Sequence, residues 1–176
     1  AAHWNDPVLD NYAWLQGSDL APPPALAPEA VQGLWQGFKD RYGDRLEADD
    51  ILVGDAYASV LPVWSEGYDG PHALTHNDFR LDNMLFGADT APKPLAVVDW
   101  QTAGKGAPAG DVAYFIGAGL TREDRPGHEQ ALLRYYHARL EEAGIRDYPF
   151  EALYDHYRWF SFYGMSVAFG AAMLVK

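Results

Sequence analysis

His76-Asn77-Asp78-Phe79-Arg80-Leu81-Asp82-Asn83 is the stretch that decides the reading of this chain. An apolar strand candidate, His72–Thr75, leads into it, and a second, Asn83–Phe86, leads out. Gly87-Ala88-Asp89-Thr90-Ala91-Pro92-Lys93-Pro94 then supplies turn residues. Leu95-Ala96-Val97-Val98 reads as a buried, β-branched strand ending in Asp99. Residues 83–99 are therefore expected to form a hairpin that delivers an aspartate close to the start of the same hairpin. The spacing H-x-D-x-x-x-x-N has a mechanical reason. One carboxylate meets an acceptor hydroxyl and takes its proton. An oxygen-bearing side chain five residues on turns back to hold a hard divalent cation, which needs only one or two protein oxygens. Asp78 and Asn83 fit those two tasks, and Asp99 offers a second oxygen ligand.

Outward from this centre the chain is mostly helical in pattern. Upstream, Val31, Leu34, Trp35 and Phe38 keep i, i+3, i+4, i+7 spacing, which predicts a helix over 28–42 with Pro28 in its first turn and Gly43 at its end. A second helix is expected over 48–64. Residues 1–26 read as irregular, with a short helix at Asn11–Leu15 and a stiff connector at Ala21-Pro22-Pro23-Pro24. Downstream come a Gly/Pro loop at 104–110 and helices at 111–119, 123–143 and 149–175. Trp159–Val175 carries no charge, but its serines, tyrosine and glycines make it a buried core helix rather than a membrane span.

Composition narrows the function. The 176 residues carry a formal net charge of -12, which repels nucleic-acid backbones and anionic membranes; it would attract a cationic small molecule, and solubility alone explains it equally well. No cysteine is present, so disulfides and thiolate metal sites are excluded and a cytoplasmic location is allowed. The first residues show no signal peptide and no starting Met, and the last helical pattern still runs at Lys176. The expectation is an internal piece of a longer protein.

The kinase catalytic loop has this same H-x-D-x-x-x-x-N spacing, joined by a hairpin to a metal-binding aspartate. His76–Asn83, Val98-Asp99-Trp100-Gln101, Gly104–Gly106 and Gly110-Asp111-Val112-Ala113-Tyr114-Phe115, in that order, resemble the superfamily of aminoglycoside phosphotransferases. Choline kinases and ecdysteroid kinase-like proteins are relatives with a similar motif order. The resemblance covers 70–175 well and 1–60 loosely, where His3-Trp4 resembles the exit of the helix after the interlobe hinge. It implies an α+β, mainly helical fold: a protein-kinase-like C-terminal lobe with a short catalytic-loop hairpin and no N-terminal lobe. Residues 1–176 would be one domain, with a helical part at 1–70, the catalytic and metal-binding loops at 71–110 and the last helices at 111–176. It implies Asp78 as catalytic base, Asn83 and Asp99 as Mg²⁺ ligands, and His76 and Asp111 as braces of the loop. Arg80 is a candidate phosphate contact or a plain surface arginine, and Asp111 also reads as a helix N-cap. Asn77 stands where many members have Gly. ATP is the implied donor, a small-molecule hydroxyl the acceptor.

One departure is large. A glycine-rich strand-turn-strand followed by a strand lysine should precede the catalytic loop. The lysines are Lys39, Lys93, Lys105 and Lys176, and none lies in such a strand. Gly104-Lys105-Gly106 fails the P-loop pattern. The isolated chain is thus expected to be inactive, with an exposed apolar interlobe face. A non-catalytic, pseudokinase-like binding module is the alternative. A metal-dependent hydrolase built on His76, Asp78 and Asp99 is weaker, because only one of its ligands is a histidine. Asp155, His156, Tyr157 and Trp159 are candidate acceptor-pocket residues, more readily core or surface.

Overall fold

The computed structural model describes residues 3–15, 28–64, 67–88 and 92–174. The proline run at 21–24, residues 89–91 of the predicted hairpin turn, and residues 175–176 lie outside them. Among the described residues six α-helices and four short strands follow in chain order: α1 Pro28–Tyr42, α2 Ala48–Trp64, β1 Ala73–Thr75, β2 Met84–Phe86, β3 Leu95–Val97, β4 Gly104–Gly106, α3 Pro108–Gly119, α4 Arg125–Glu142, α5 Phe150–Phe160 and α6 Tyr163–Leu174. The chain is mainly helical, with small antiparallel sheets. It divides into two compact units, Ala1–Ser18 with Gly70–Ser161, and Asp19–Asp69 with Phe162–Lys176. Among the described residues no helix is long and apolar enough to cross a membrane.

The first unit holds every motif singled out above. β2 and β3 pair antiparallel with Met84 opposite Val97 and Phe86 opposite Leu95. β1 and β4 pair antiparallel with Ala73 opposite Gly106 and Thr75 opposite Gly104. α3 lies across the back, apolar along Ala109, Ala113 and Ile116, and packs on α4 and α5. Ile116, Leu133 and Leu153 are fully buried there, each contributing roughly 1.5–3 kcal/mol by leaving water. The N-terminal segment is stitched to β1 by Asn5, whose N–H donates to the His72 carbonyl (2.7 Å) while its side-chain oxygen accepts from the His72 N–H (2.8 Å).

The second unit packs α1 on α2 and α6. Trp35 is its centre: the ring stacks on Phe38, meets Phe169 edge-on, and donates its Nε1–H to Asp55 (2.7 Å).

Four expectations are corrected. The short N-terminal helix is two 3-10 turns, Pro7–Asn11 and Ala13–Leu15, the first capped by the Asp6 side chain on the Val8 N–H. Leu95–Val97 is not buried: Leu95 is 41% exposed, because a two-stranded hairpin has a second face that nothing in its own unit covers. The loop at 104–110 is instead β4 followed directly by α3, which starts at Pro108. Gly106 makes this possible, since a Cβ there would sit 2.7 Å from Thr75 Oγ1. The single helix expected over 149–175 is two, broken at Ser161 and Phe162. Ser161 turns its hydroxyl onto the Arg158 carbonyl (2.7 Å), and its N–H bonds the same carbonyl, tightening the last turn of α5.

Candidate functional site

The loop between β1 and β2 is held by backbone carbonyls on one side and by side chains from two other elements on the other. Asn77 has φ +63°, a left-handed conformation that explains why glycine or asparagine suits this position. The side-chain amide of Asn77 donates to the Thr102 carbonyl (2.8 Å), and Thr102 Oγ1 donates to the His76 carbonyl (2.7 Å). The 3-10 turn Trp100–Thr102 therefore clamps the loop from behind.

Asp111 lies in the first turn of α3. It is not the N-cap, which is Ala107. Its two carboxylate oxygens accept the backbone N–H groups of His76 (2.7 Å) and Asn77 (2.8 Å). Burial pushes the Asp111 carboxyl up, against the pull of these two hydrogen bonds.

His76 is 1% exposed and bonded through both ring nitrogens. Nδ1 accepts the Asp78 N–H (3.3 Å), which leaves Nε2 as the protonated atom, donating to the Val98 carbonyl (2.9 Å). One neutral imidazole thus ties the residue before Asp99 to the backbone of Asp78. Its ring also leans on Trp100, centroids 4.7 Å apart.

Asn83 is buried, and its Nδ2 donates twice, to the Asp78 carbonyl and to Asp78 Oδ2, both at 2.8 Å. With the amide nitrogen so occupied, Oδ1 is the atom left for a ligand. The Val98 N–H donates to the Asn83 carbonyl (2.9 Å), continuing the β2–β3 register by one pair. Asp99 is the next residue, so its backbone follows directly on the Asn83–Val98 pair, at the hairpin end where Asn83 holds Asp78. Asp99 is exposed and adopts φ 64°, ψ 56°. Among the described residues no hydrogen bond or ion pair holds its carboxylate.

Arg80, 43% exposed, has Nε 3.4 Å from Asp78 Oδ1 and a terminal nitrogen 3.4 Å from Asp82. Lys105 is paired with Asp10, and its backbone runs in the β1–β4 ladder, so Gly104–Gly106 forms no phosphate cradle. Asp155 and Trp159 are surface residues on α5. The Tyr148 hydroxyl and His156 Nδ1 share a hydrogen bond (2.8 Å), and the Tyr157 hydroxyl donates to Glu129 (3.0 Å).

Sequence reasoning missed Tyr114 as a member of the site. It is buried on α3, where the Asp78 charge acts on its phenol. Burial, then the Asp78 charge, pushes this phenol up. The signal was present: Tyr114 stands three residues after Asp111, hence on the same helix face. A cavity of about 490 Å³ opens behind the loop, walled by Trp4, Phe79, Trp100, Phe115 and the inner sides of His76 and Asp111. Asp78, Asn83 and Asp99 do not line it. Geometry, not cavity size, identifies the site.

Residues 29–146, more than half of the chain and including the whole loop, hairpin and Asp111, match the model of the ecdysteroid kinase-like family. The chain belongs to that family. Ecdysteroid kinase-like proteins lie within the small-molecule kinase and phosphotransferase superfamily that the motif order resembles, which makes this chain kinase-like at a coarse level. Two curated relatives match over short stretches. "Acyl-CoA dehydrogenase family member 11" of Gallus gallus is 46% identical over 46 residues, 26% of this chain and 6% of that protein. "Acyl-CoA dehydrogenase family member 10" of Mus musculus is 51% identical over 41 residues, 23% of this chain and 4% of that protein. The chain thus spans a small part of either. No solved structure matches it significantly.

Proposed function

We propose that this chain carries the acceptor-side catalytic and metal-binding residues of an ATP- and Mg²⁺-dependent phosphotransferase acting on a small-molecule hydroxyl. The observation that supports it most is the joint placement of Asp78, Asn83 and Asp99 at one hairpin end, with the Asn83 amide nitrogen locked onto Asp78. The acceptor hydroxyl approaches Asp78, whose carboxylate orients it and takes its proton as the new O–P bond forms and the bond to the leaving diphosphate breaks. Asn83 Oδ1 and the exposed Asp99 carboxylate are an all-oxygen donor pair suited to Mg²⁺, which keeps most of its remaining positions for phosphate and water. Bound there, the ion would neutralise charge on the phosphates. His76, Thr102 and Asp111 hold the loop so that Asp78 needs no rearrangement.

The nucleotide grip comes from a kinase-type N-terminal lobe that these residues do not encode. Lys39 and Lys105 are paired with Asp55 and Asp10. The exposed Leu85 side of the hairpin (59% exposed) then faces the nucleotide, and the isolated chain is inactive. The net charge of -12 favours a cationic acceptor.

The test is ADP release by the longest natural form of the protein, with Mg²⁺-ATP and a panel of hydroxylated small molecules. Acceptor-stimulated release that falls by about 10²–10⁴ in Asp78→Asn, with the fold intact, is the expected result. Unchanged turnover in that variant sinks the reading. No Mg²⁺-ATP binding and no release with any acceptor would favour a non-catalytic binding module.

A further inference from the structure

We propose that the cavity behind the loop is a second small-molecule site, separate from Asp78, and that it takes an organic cation. Its volume of about 490 Å³ falls within the range of ligand pockets, about 300–1,000 Å³. Its walls all come from the first unit: from α3, α4, the loop, the hairpin and Trp4. Asp78, Asn83 and Asp99 are not among them. The acceptor and metal positions proposed above therefore do not account for this cavity.

The walls select the class of molecule. Phe115, Phe79, His76 and Trp100 form a chain of ring contacts, with centroids 5.4, 6.0 and 4.7 Å apart and planes tilted by 42° to 58°. Tilted neighbours build a curved wall rather than a flat stack. Tyr136 adds a ring from α4, and Trp4 one from the N-terminal segment. Aromatic faces carry negative potential, and several around one space attract a cation, most strongly where water is excluded. Asp111 is the acidic side chain of the lining, and no lysine or arginine lines it among the described residues. Each Asp111 oxygen accepts one backbone N–H, at 2.7 and 2.8 Å, and keeps a second lone pair. Those two N–H groups carry no formal charge, and His76 is neutral. The Asp111 charge also reaches Tyr136, where it adds to burial in pushing the phenol up. An anion would be repelled here, and a neutral apolar molecule would leave the carboxylate unanswered. An organic cation meets both the rings and the charge.

The experiment is a calorimetric titration of the longest natural form at about 0.15 M NaCl, which screens the acidic surface. The probes are phenyltrimethylammonium and tert-butylbenzene, its uncharged isostere. The cation is expected to bind at least about 10-fold more tightly. Phe115→Leu removes one ring but keeps the wall apolar and the net charge unchanged. It is expected to weaken the cation about 3- to 10-fold and the isostere less than about 2-fold. Asp111→Asn is expected to weaken the cation about 10-fold. Asp111 also braces the loop, so Phe115→Leu, which leaves that brace in place, decides the matter if Asp111→Asn does not fold. Asp78→Asn is expected to bind the cation as the parent does. Equal affinity for the two probes overturns the inference. Cation binding unchanged in Phe115→Leu overturns it too, since that is how a merely acidic surface would behave. Binding lost in Asp78→Asn but kept in Phe115→Leu would put the cation at the catalytic loop, with the same result. If neither probe binds, another part of the protein fills the cavity and the inference falls. Turnover enters none of these outcomes, so the reading of Asp78 as the base stands or falls separately.

Discussion

Asp99 is held at φ 64°, ψ 56°, where a side-chain-bearing residue costs about 1–2 kcal/mol. Among the described residues no hydrogen bond or ion pair of its side chain offsets this, and its carboxylate is exposed. Backbone strain at an exposed carboxylate agrees with the metal-ligand role proposed for Asp99. Glycine adopts the same backbone freely but loses about 0.5–1 kcal/mol more chain entropy on folding. Asp99→Gly is therefore expected to be as stable as the parent or up to about 1 kcal/mol more stable, while Mg²⁺-dependent turnover is lost. Urea unfolding and ADP release on the same preparation check both halves. A clear loss of stability would mean that the Asp99 side chain holds the fold, which would remove the reason to read the strain as functional. Asn77 shares the left-handed backbone but differs in kind, since its amide is spent on the Thr102 carbonyl.

At the scale of elements, the α1–α2 pair turns an ordinary rule around. Gly54 lies inside α2, where alanine would normally gain about 1 kcal/mol in helix propensity. Here an added Cβ would fall 2.1 Å from Trp35 Cζ2. The indole cannot step aside, because Nε1 is bonded to Asp55 and the ring is stacked on Phe38. Overpacking of a rigid ring costs about 1–3 kcal/mol, which offsets or outweighs the propensity gain, so Gly54→Ala is expected to destabilise by up to about 2 kcal/mol net. A rise in the urea midpoint would show that the two helices slide apart at little cost. This contact was not legible in the sequence, although the elements that make it were. Both helices were placed by their apolar spacing, within the limits observed. The break between α5 and α6 was not, because an uncharged run reads as continuous helix, whereas the Ser161 hydroxyl on the Arg158 carbonyl stops it locally. The exposure of Leu95 was missed for a related reason: apolar residues in a strand signal a covering layer, and this hairpin's own unit supplies none for one face.

Across the whole molecule, what could be read in advance was what is local in sequence. His76, Asp78 and Asn83 share one loop, and the hairpin that returns Asp99 to them is encoded by its turn residues. The Asp111 brace came through the family resemblance, which implies it, while the residue alone read equally as an N-cap. Thr102 was missed because its contact depends on how the 3-10 turn packs on the loop, and no periodicity states that. Buried tyrosines were equally hidden, and they set the response of the whole chain to alkali. Burial pushes the Tyr57 phenol from 10.0 up to about 12, the Ser166 hydroxyl opposing. Burial also pushes Tyr136 and Tyr157 up. A phenol raised in the folded state adds stability that is fully present below the unfolded value and lost as pH climbs through the folded one. For Tyr57 the window is pH 10 to about 12 and the loss about 2–3 kcal/mol. A second effect acts over the same range. The chain already carries -12 at neutral pH, and lysines and exposed tyrosines make it more negative, so like charges repel throughout. Salt separates the two. At about 1 M NaCl the Debye length is about 3 Å, which screens surface repulsion but leaves the cost of a buried phenolate untouched. Urea midpoints are thus expected to fall between pH 10 and about 12 even at high salt, and to fall less in Tyr57→Phe. If high salt abolishes the decline, surface repulsion alone accounts for it, and the phenol of Tyr57 is reached by water before the chain unfolds.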